Sequence, residues 1–258
     1  MPDLIPFGSL GAVLASGAVT TTRYLIGGGW DEGASGLLYG PFLADAGRRA
    51  GGPNPTVACL LVDEGDGAQD FVRYEAALRR AAPCTPVPVL VPLGGTLDPA
   101  ALDGVDALLV GGGLTPAYQE ALAAVRDGPA RLPYAGFSAG AAVAAREALV
   151  GGWLAGGVQV CPEETGEDLE EIEVRPGLGL VPFTVDVHAA QWGTLPRLIE
   201  AVRRGGTGAY GVAIDENTML AVDGARARVS GLGRVHVVRG AEVWAYGSGE
   251  SFDVRPET

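Results

Sequence analysis

Short apolar runs recur along this chain, separated by stretches whose apolar residues return at helical spacing. The runs at 23–26 (RYLI), 57–62 (VACLLV), 87–91 (VPVLV) and 107–110 (ALLV) read as strands, with a fifth near 134–136. Helical patterns occupy 37–49, 68–81, 116–126 and 139–148. Strands this apolar present no wet face, so both faces of their sheet need cover. The expected fold is therefore α/β: a three-layer α/β/α sandwich with a mostly parallel central sheet. Glycine clusters stand just past several strands: Gly27, Gly28 and Gly29; Gly94 and Gly95; Gly111, Gly112 and Gly113. In such sheets ligands bind beyond the carboxyl ends of the strands, where these loops gather.

After residue 149 the pattern changes. Residues 150–182 are glycine-rich and read as β-hairpins and a loop, and their acidic run at 163–173 reads as solvated surface. A helix is expected over 194–204, and 211–246 alternates as an antiparallel β finish. With no repeat and no linker, 1–258 reads as one domain, residues 1–21 forming an N-terminal extension. That length can bury a large core.

Charge narrows the partners. A net charge of −13 and a pI near 4.5 argue against nucleic acid or an anionic membrane. The same field disfavours an acidic substrate at long range. Three scattered cysteines, Cys59, Cys84 and Cys161, form no CxxC pair and suit a reducing compartment. Residues 1–20 loosely resemble a signal h-region, yet no basic residue precedes it and Asp3 stands there instead. No apolar run reaches membrane-spanning length, so a cytoplasmic location is expected. A homodimer is the default expectation for assembly.

The chemistry concentrates at 132–145, LPYAGFSAGAAVAA: a short strand, a Gly-x-Ser-x-Gly turn and an alanine-rich helix. This is a nucleophile-elbow pattern, in which Gly136 and Gly140 allow a sharp reversal and Ser138 is lifted out at the turn. The N–H of Ala139 opens the helix, a suitable donor for an oxyanion. A triple-glycine loop at 111–113 also lets backbone approach a carbonyl closely. The chain holds no lysine, which excludes a Ser–Lys dyad, and only two histidines. His188 follows a β-rich segment and precedes a helix, where catalytic groups tend to sit. His236 alternates with Val235 and Val237, so it reads as sharing a wetter face with Arg234. Three carboxylates, Asp186, Asp215 and Glu216, stand where they could orient an imidazole.

Together these segments resemble the cyanophycinase and dipeptidase E group of serine peptidases. The resemblance runs in order through IGGGWDEG, LLVGGGLT, GFSAGAAV, the D-x-H segment with RLIEAV, and GVAIDENTMLAV. Its spacing fits as well, with 188 − 138 = 50 residues from serine to histidine and 216 − 188 = 28 onward to glutamate. It implies a fold like the class I glutamine amidotransferases. It further implies Ser138 as nucleophile, His188 as base, Glu216 as its orienter, and an oxyanion hole from Gly112, Gly113 and Ala139. Short peptides would be the substrates, cleaved through an acyl-enzyme by an exopeptidase or dipeptidase. Where cyanophycinases carry arginines after the histidine, this chain has Trp192 and Thr194, although Arg197 remains; Leu114 replaces a typical glutamine. A strict cyanophycinase is therefore not expected, and Leu114, Trp192 and Arg197 are the expected substrate contacts. The scheme needs no cofactor, and the sparse histidines and cysteines suggest no metal set. Two alternatives compete: an α/β-hydrolase-type esterase using Ser138, Asp215 and His236, and a non-catalytic amidotransferase-like binding protein.

Overall fold

A computed structural model describes residues 21–125, 127–208 and 210–254. Of the expected N-terminal extension, residues 1–20 lie outside that set. So does Arg126, the last residue of the helix expected at 116–126.

Fourteen strands and six α-helices alternate along the described chain. The strands are β1 (Arg23–Ile26), β2 (Thr56–Asp63), β3 (Thr85–Pro92), β4 (Ala107–Val110), β5 (Tyr134–Phe137), β6 (Glu147–Gly151), β7 (Glu173–Pro176), β8 (Thr184–Val187), β9 (Gly211–Ile214), β10 (Thr218–Asp223), β11 (Arg226–Gly231), β12 (Val235–Arg239), β13 (Glu242–Tyr246) and β14 (Ser251–Asp253). The helices are α1 (Ser35–Ala50), α2 (Gly67–Ala81), α3 (Thr115–Leu122), the single turn α4 (Asp127–Ala130), α5 (Ala139–Val143) and α6 (Leu195–Arg203).

The central sheet has eight strands in the order β14-β11-β10-β1-β5-β4-β2-β3. From β1 to β3 the pairings are parallel; β10, β11 and β14 extend the sheet antiparallel beyond β1. Strand β3, with Pro86, Pro88 and Pro92, sits at an edge, where a missing N–H breaks no ladder. Alternate residues of the inner strands pack into two apolar layers. Ile26, Val57, Cys59, Leu61 and Leu109 meet α1 and α2 on one face. Leu25, Ala58, Leu60, Leu108 and Val110 meet α3 and α5 on the other.

The second face is not covered by helices alone. Val185 and Val187 of β8, Val212 and Ile214 of β9, and Val235 and Val237 of β12 belong to the same apolar layer. These strands form a separate sheet of order β13-β12-β9-β8, with α6 packed on its far side. The expected antiparallel finish is thus shared between two sheets, and β9 pairs parallel with β8. The chain changes sheet at 215–217, where Asn217 adopts φ 54°.

The helix expected over 139–148 stops at Val143. Residues 178–180 take its C-terminal carbonyls instead: Leu178 N–H donates to Val143, Leu180 to Ala144 and Gly179 to Ala145. The chain then turns into β6, which pairs with β7. No described helix is long and apolar enough to cross a membrane.

Candidate active site

Ser138, the 111–113 loop, the 27–29 loop and His188 follow the carboxyl ends of β5, β4, β1 and β8. Glu216 follows β9 at the change of sheet. The two sheets thereby bring five loops to one edge.

The elbow at Ser138 has φ 51° and ψ −113°. Its glycines are required by close backbone approach: a Cβ on Gly136 would collide with Gly140, and one on Gly140 with the Val110 carbonyl. Tyr134 donates its hydroxyl to the Gly140 carbonyl at 2.6 Å, and Ser138 N–H donates to Ile26 at 2.9 Å. The serine is therefore held in a conformation that a non-glycine residue adopts only under external restraint.

Ser138 Oγ lies 2.7 Å from His188 Nε2, and His188 Nδ1 lies 2.8 Å from Glu216 Oε1. His188 also has positive φ, 55°. Its N–H donates to the Gly27 carbonyl, and its own carbonyl accepts from Trp192 N–H at 2.8 Å. The Trp192 indole stacks on the imidazole with centroids 3.8 Å apart and planes 7° from parallel. Gly28, at φ 101°, makes room for the imidazole, since a Cβ there would enter the ring. Burial pushes the imidazole pKa below its ordinary 6.5, against the upward pull of Glu216. The ring is thus neutral and able to accept a proton at neutral pH. Gln191 accepts from the Glu216 N–H at 2.9 Å, fixing the loop that carries the carboxylate.

The other two carboxylates are engaged elsewhere. Asp186 is buried with both oxygens on the Arg197 guanidinium, at 3.0 and 2.7 Å. Asp215 accepts from the N–H groups of Ala190 and Arg234 at 3.0 and 2.8 Å and lies 3.4 Å from His236 Nε2. Asp215 and His236 do meet, as an esterase dyad would require, but it is His188 that bonds the serine. Arg197 does not face substrate. It is 4% exposed and donates onward to the Thr165 carbonyl at 2.6 Å, tying β8 to the acidic segment.

The glycine loop corrects the expected oxyanion donors in one place. Gly112 N–H donates to the Tyr74 hydroxyl at 2.7 Å, so it is spent. The N–H groups of Gly113 and Ala139 have no protein acceptor among the described residues. The loop presses on the nucleophile, for a Cβ on Gly112 would stand 2.9 Å from Ser138 Cβ.

Ser138 opens into a pocket of about 670 Å³ that Gly113, Leu114, Trp153 and Trp192 also line. Six carboxylates surround it, from Glu64, Glu163, Glu164, Glu167, Asp168 and Glu170, and no arginine lines it among the described residues. Most of the run expected to be plain solvated surface is therefore a wall of this pocket. Glu167 Oε2 accepts from Thr115 N–H at 2.9 Å, and burial raises its carboxyl pKa. Tyr74, Tyr118, Glu64 and Glu167 carried no sequence signal, because each is brought to the serine only by tertiary packing.

Fold and site together define a mixed α/β protein in which Ser138, His188 and Glu216 are hydrogen-bonded in series where the strand ends of its two sheets meet. It is similar in structure to a peptidase from an acI-B1 actinobacterium, with TM-score 0.62 and 18% identity over 91% of this chain and 97% of that one. It is also similar to a candidate peptidase E protein from Listeria monocytogenes EGD-e, with TM-score 0.54 and 14% identity over 83% and 99% of the two chains. No protein-family model and no curated protein sequence matches the chain. The likeness extends over nearly the full length of both solved structures, and at these identities it concerns the fold.

Proposed function

We propose that the chain is a serine peptidase acting on short peptides, of the cyanophycinase and dipeptidase E type but not a strict cyanophycinase. The observation that carries this reading is the continuous relay Ser138–His188–Glu216 opening into a peptide-sized pocket. The peptidase names of both structural neighbours support it.

Ser138 Oγ attacks the scissile carbonyl carbon as its proton passes to His188 Nε2. The carbonyl π electrons move to oxygen, and the oxyanion is received by the N–H groups of Gly113 and Ala139. Glu216 accepts from His188 Nδ1, which fixes the tautomer and stabilises the imidazolium. Collapse of the tetrahedral species breaks the C–N bond, and the leaving amine takes the proton from His188. Water then gives a proton to His188 and attacks the acyl ester. Collapse releases the acid, and the proton returns to Ser138.

The carboxylate-lined pocket favours a substrate that brings a positive charge beside the scissile bond. A free terminal ammonium does so in every unblocked short peptide, which supports exopeptidase or dipeptidase action. Cys59, Cys84 and Cys161 are free thiols, in keeping with a reducing compartment such as the cytoplasm. The decisive experiment is labelling with a fluorophosphonate probe, followed by hydrolysis of dipeptides and tripeptides free or blocked at each end. The expected result is label on Ser138 and turnover that Ser138→Ala abolishes. An unlabelled Ser138 in folded protein would leave a binding protein as the better reading.

A further inference from the structure

We propose that Tyr118, assisted by Tyr74, is a positioning residue that holds the Gly113 N–H in the oxyanion hole by clamping the glycine loop. The proposal rests on the serine-peptidase reading above and adds two residues to its machinery.

Two consecutive peptide groups make up the loop. The first is pinned at both edges: the Gly111 carbonyl accepts from Gly140 N–H at 2.9 Å, and Gly112 N–H donates to the Tyr74 hydroxyl. The second is pinned at one edge only. Its carbonyl, that of Gly112, accepts from the Tyr118 hydroxyl at 3.0 Å, while its N–H, that of Gly113, has no protein partner. In a trans peptide the N–H and C=O point in opposite directions. Fixing the carbonyl on the Tyr118 side therefore fixes the N–H on the other, and Gly113 lines the pocket into which Ser138 opens.

This restraint is needed because a peptide between two glycines can rotate with little steric cost. Gly113 already adopts φ 149°. A rotated peptide would present its carbonyl oxygen, instead of its N–H, to the developing oxyanion. Both tyrosines are buried; the Tyr74 hydroxyl accepts from Gly112 N–H, and the Tyr118 hydroxyl, which donates to the Gly112 carbonyl, is itself anchored to β2 by accepting from Val62 N–H. Tyr118 comes from α3, directly after the loop. Tyr74 comes from α2 and is held edge-on against Trp30 and Phe137, the residue before the nucleophile.

The test measures inactivation of full-length protein by a fluorophosphonate–rhodamine probe, separating the maximal rate from the half-saturating concentration. Wild-type protein is expected to label at Ser138. Tyr118→Phe is expected to lower the maximal rate about 10- to 100-fold with little change in half-saturation, because an oxyanion donor acts mainly in the transition state. Replacing Tyr118 with p-aminophenylalanine, which keeps a donor at that position, should restore most of the rate. If wild type labels and Tyr118→Phe labels within twofold of it, the clamp is overturned while the peptidase reading stands. A loss that p-aminophenylalanine does not restore would equally overturn it, as a packing effect. Wild type that fails to label overturns the peptidase reading itself. If Tyr118→Phe does not fold, Tyr74→Phe replaces it: a fall of about 10-fold at unchanged half-saturation supports the clamp, and an unchanged rate overturns it.

Discussion

Ser138 and His188 both occupy positive-φ backbone, a conformation that costs each residue about 1–3 kcal/mol. Neighbouring strands, Gly27, Gly28 and Trp192 hold them there. Replacing either side chain by alanine should lower kcat by several orders of magnitude without unfolding the protein, as thermal denaturation of each variant would check. Glu216→Gln should cost less, about 10²- to 10⁴-fold, since it removes the imidazolium's partner but not the nucleophile or base. The same variant makes a signed pH prediction. Burial lowers the His188 pKa and Glu216 opposes it, so the acid limb of kcat/KM should have its midpoint below 6.5 in wild type. Activity rises as pH climbs through that midpoint and the ring loses its proton. Without the carboxylate the midpoint should move lower still; an upward shift would mean that Glu216 does not pull on the ring. The Ser–His–Glu set was readable through motif and resemblance because its members sit in glycine-punctuated segments. Gly28 was readable only as a loop glycine, since its purpose, clearance for an imidazole 160 residues away, lies outside local sequence.

At the level of elements, strands whose cover is uniform could be read closely from sequence. The apolar runs RYLI and ALLV are β1 and β4 residue for residue. Alternation failed where the backbone leaves extended geometry. Asp186 was expected beside His188 because i and i+2 share a face, but the positive φ of His188 breaks that rule. Asp186 instead pairs with Arg197 inside a post that joins β8, α6 and, through the Thr165 carbonyl, the pocket wall. Removing one member of so buried a pair strands the other charge. Arg197→Met should therefore lower the free energy of unfolding by about 3–5 kcal/mol, measured by urea denaturation. Combining it with Asp186→Asn should recover much of the loss, because no unpaired charge remains. Equal instability of the single and double variants would show that the cost lies in packing rather than charge. The early end of α5 was unreadable for a related reason: alanine favours helix, but the carbonyls that would continue it are taken by a segment about 35 residues downstream.

For the molecule as a whole, the net charge of −13 said that acidic partners are disfavoured, but not where the field is strongest. Sequence periodicity could not reveal that the run around 163–170 folds over the nucleophile, because its placement depends on Arg197 holding Thr165 from the opposite side. Arginine thus enters the site as scaffold, and the charged groups that line the pocket, beside Leu114, Trp153 and Trp192, are all anionic. Glu167 is the carboxylate best placed to matter. It is half-buried on the pocket wall, and accepts from both the N–H and the side-chain hydroxyl of Thr115. A charge-assisted hydrogen bond to a substrate ammonium contributes roughly 1.5–3 kcal/mol, a factor of about 10–100 in affinity. Peptides with a free amino terminus or a basic side chain next to the scissile bond should thus exceed acidic analogues in kcat/KM. Acetylating the amino terminus separates the two sources of charge: if the ammonium is the group read, acetylation removes the advantage, and if a basic side chain is read, it survives. Glu167→Gln should reduce the preference about tenfold while leaving fluorophosphonate labelling of Ser138 near wild type, since that probe carries no ammonium. A preference for aspartate beside the scissile bond in the intact protein would contradict this reading of the pocket, because six carboxylates and no lining arginine offer such a side chain only repulsion.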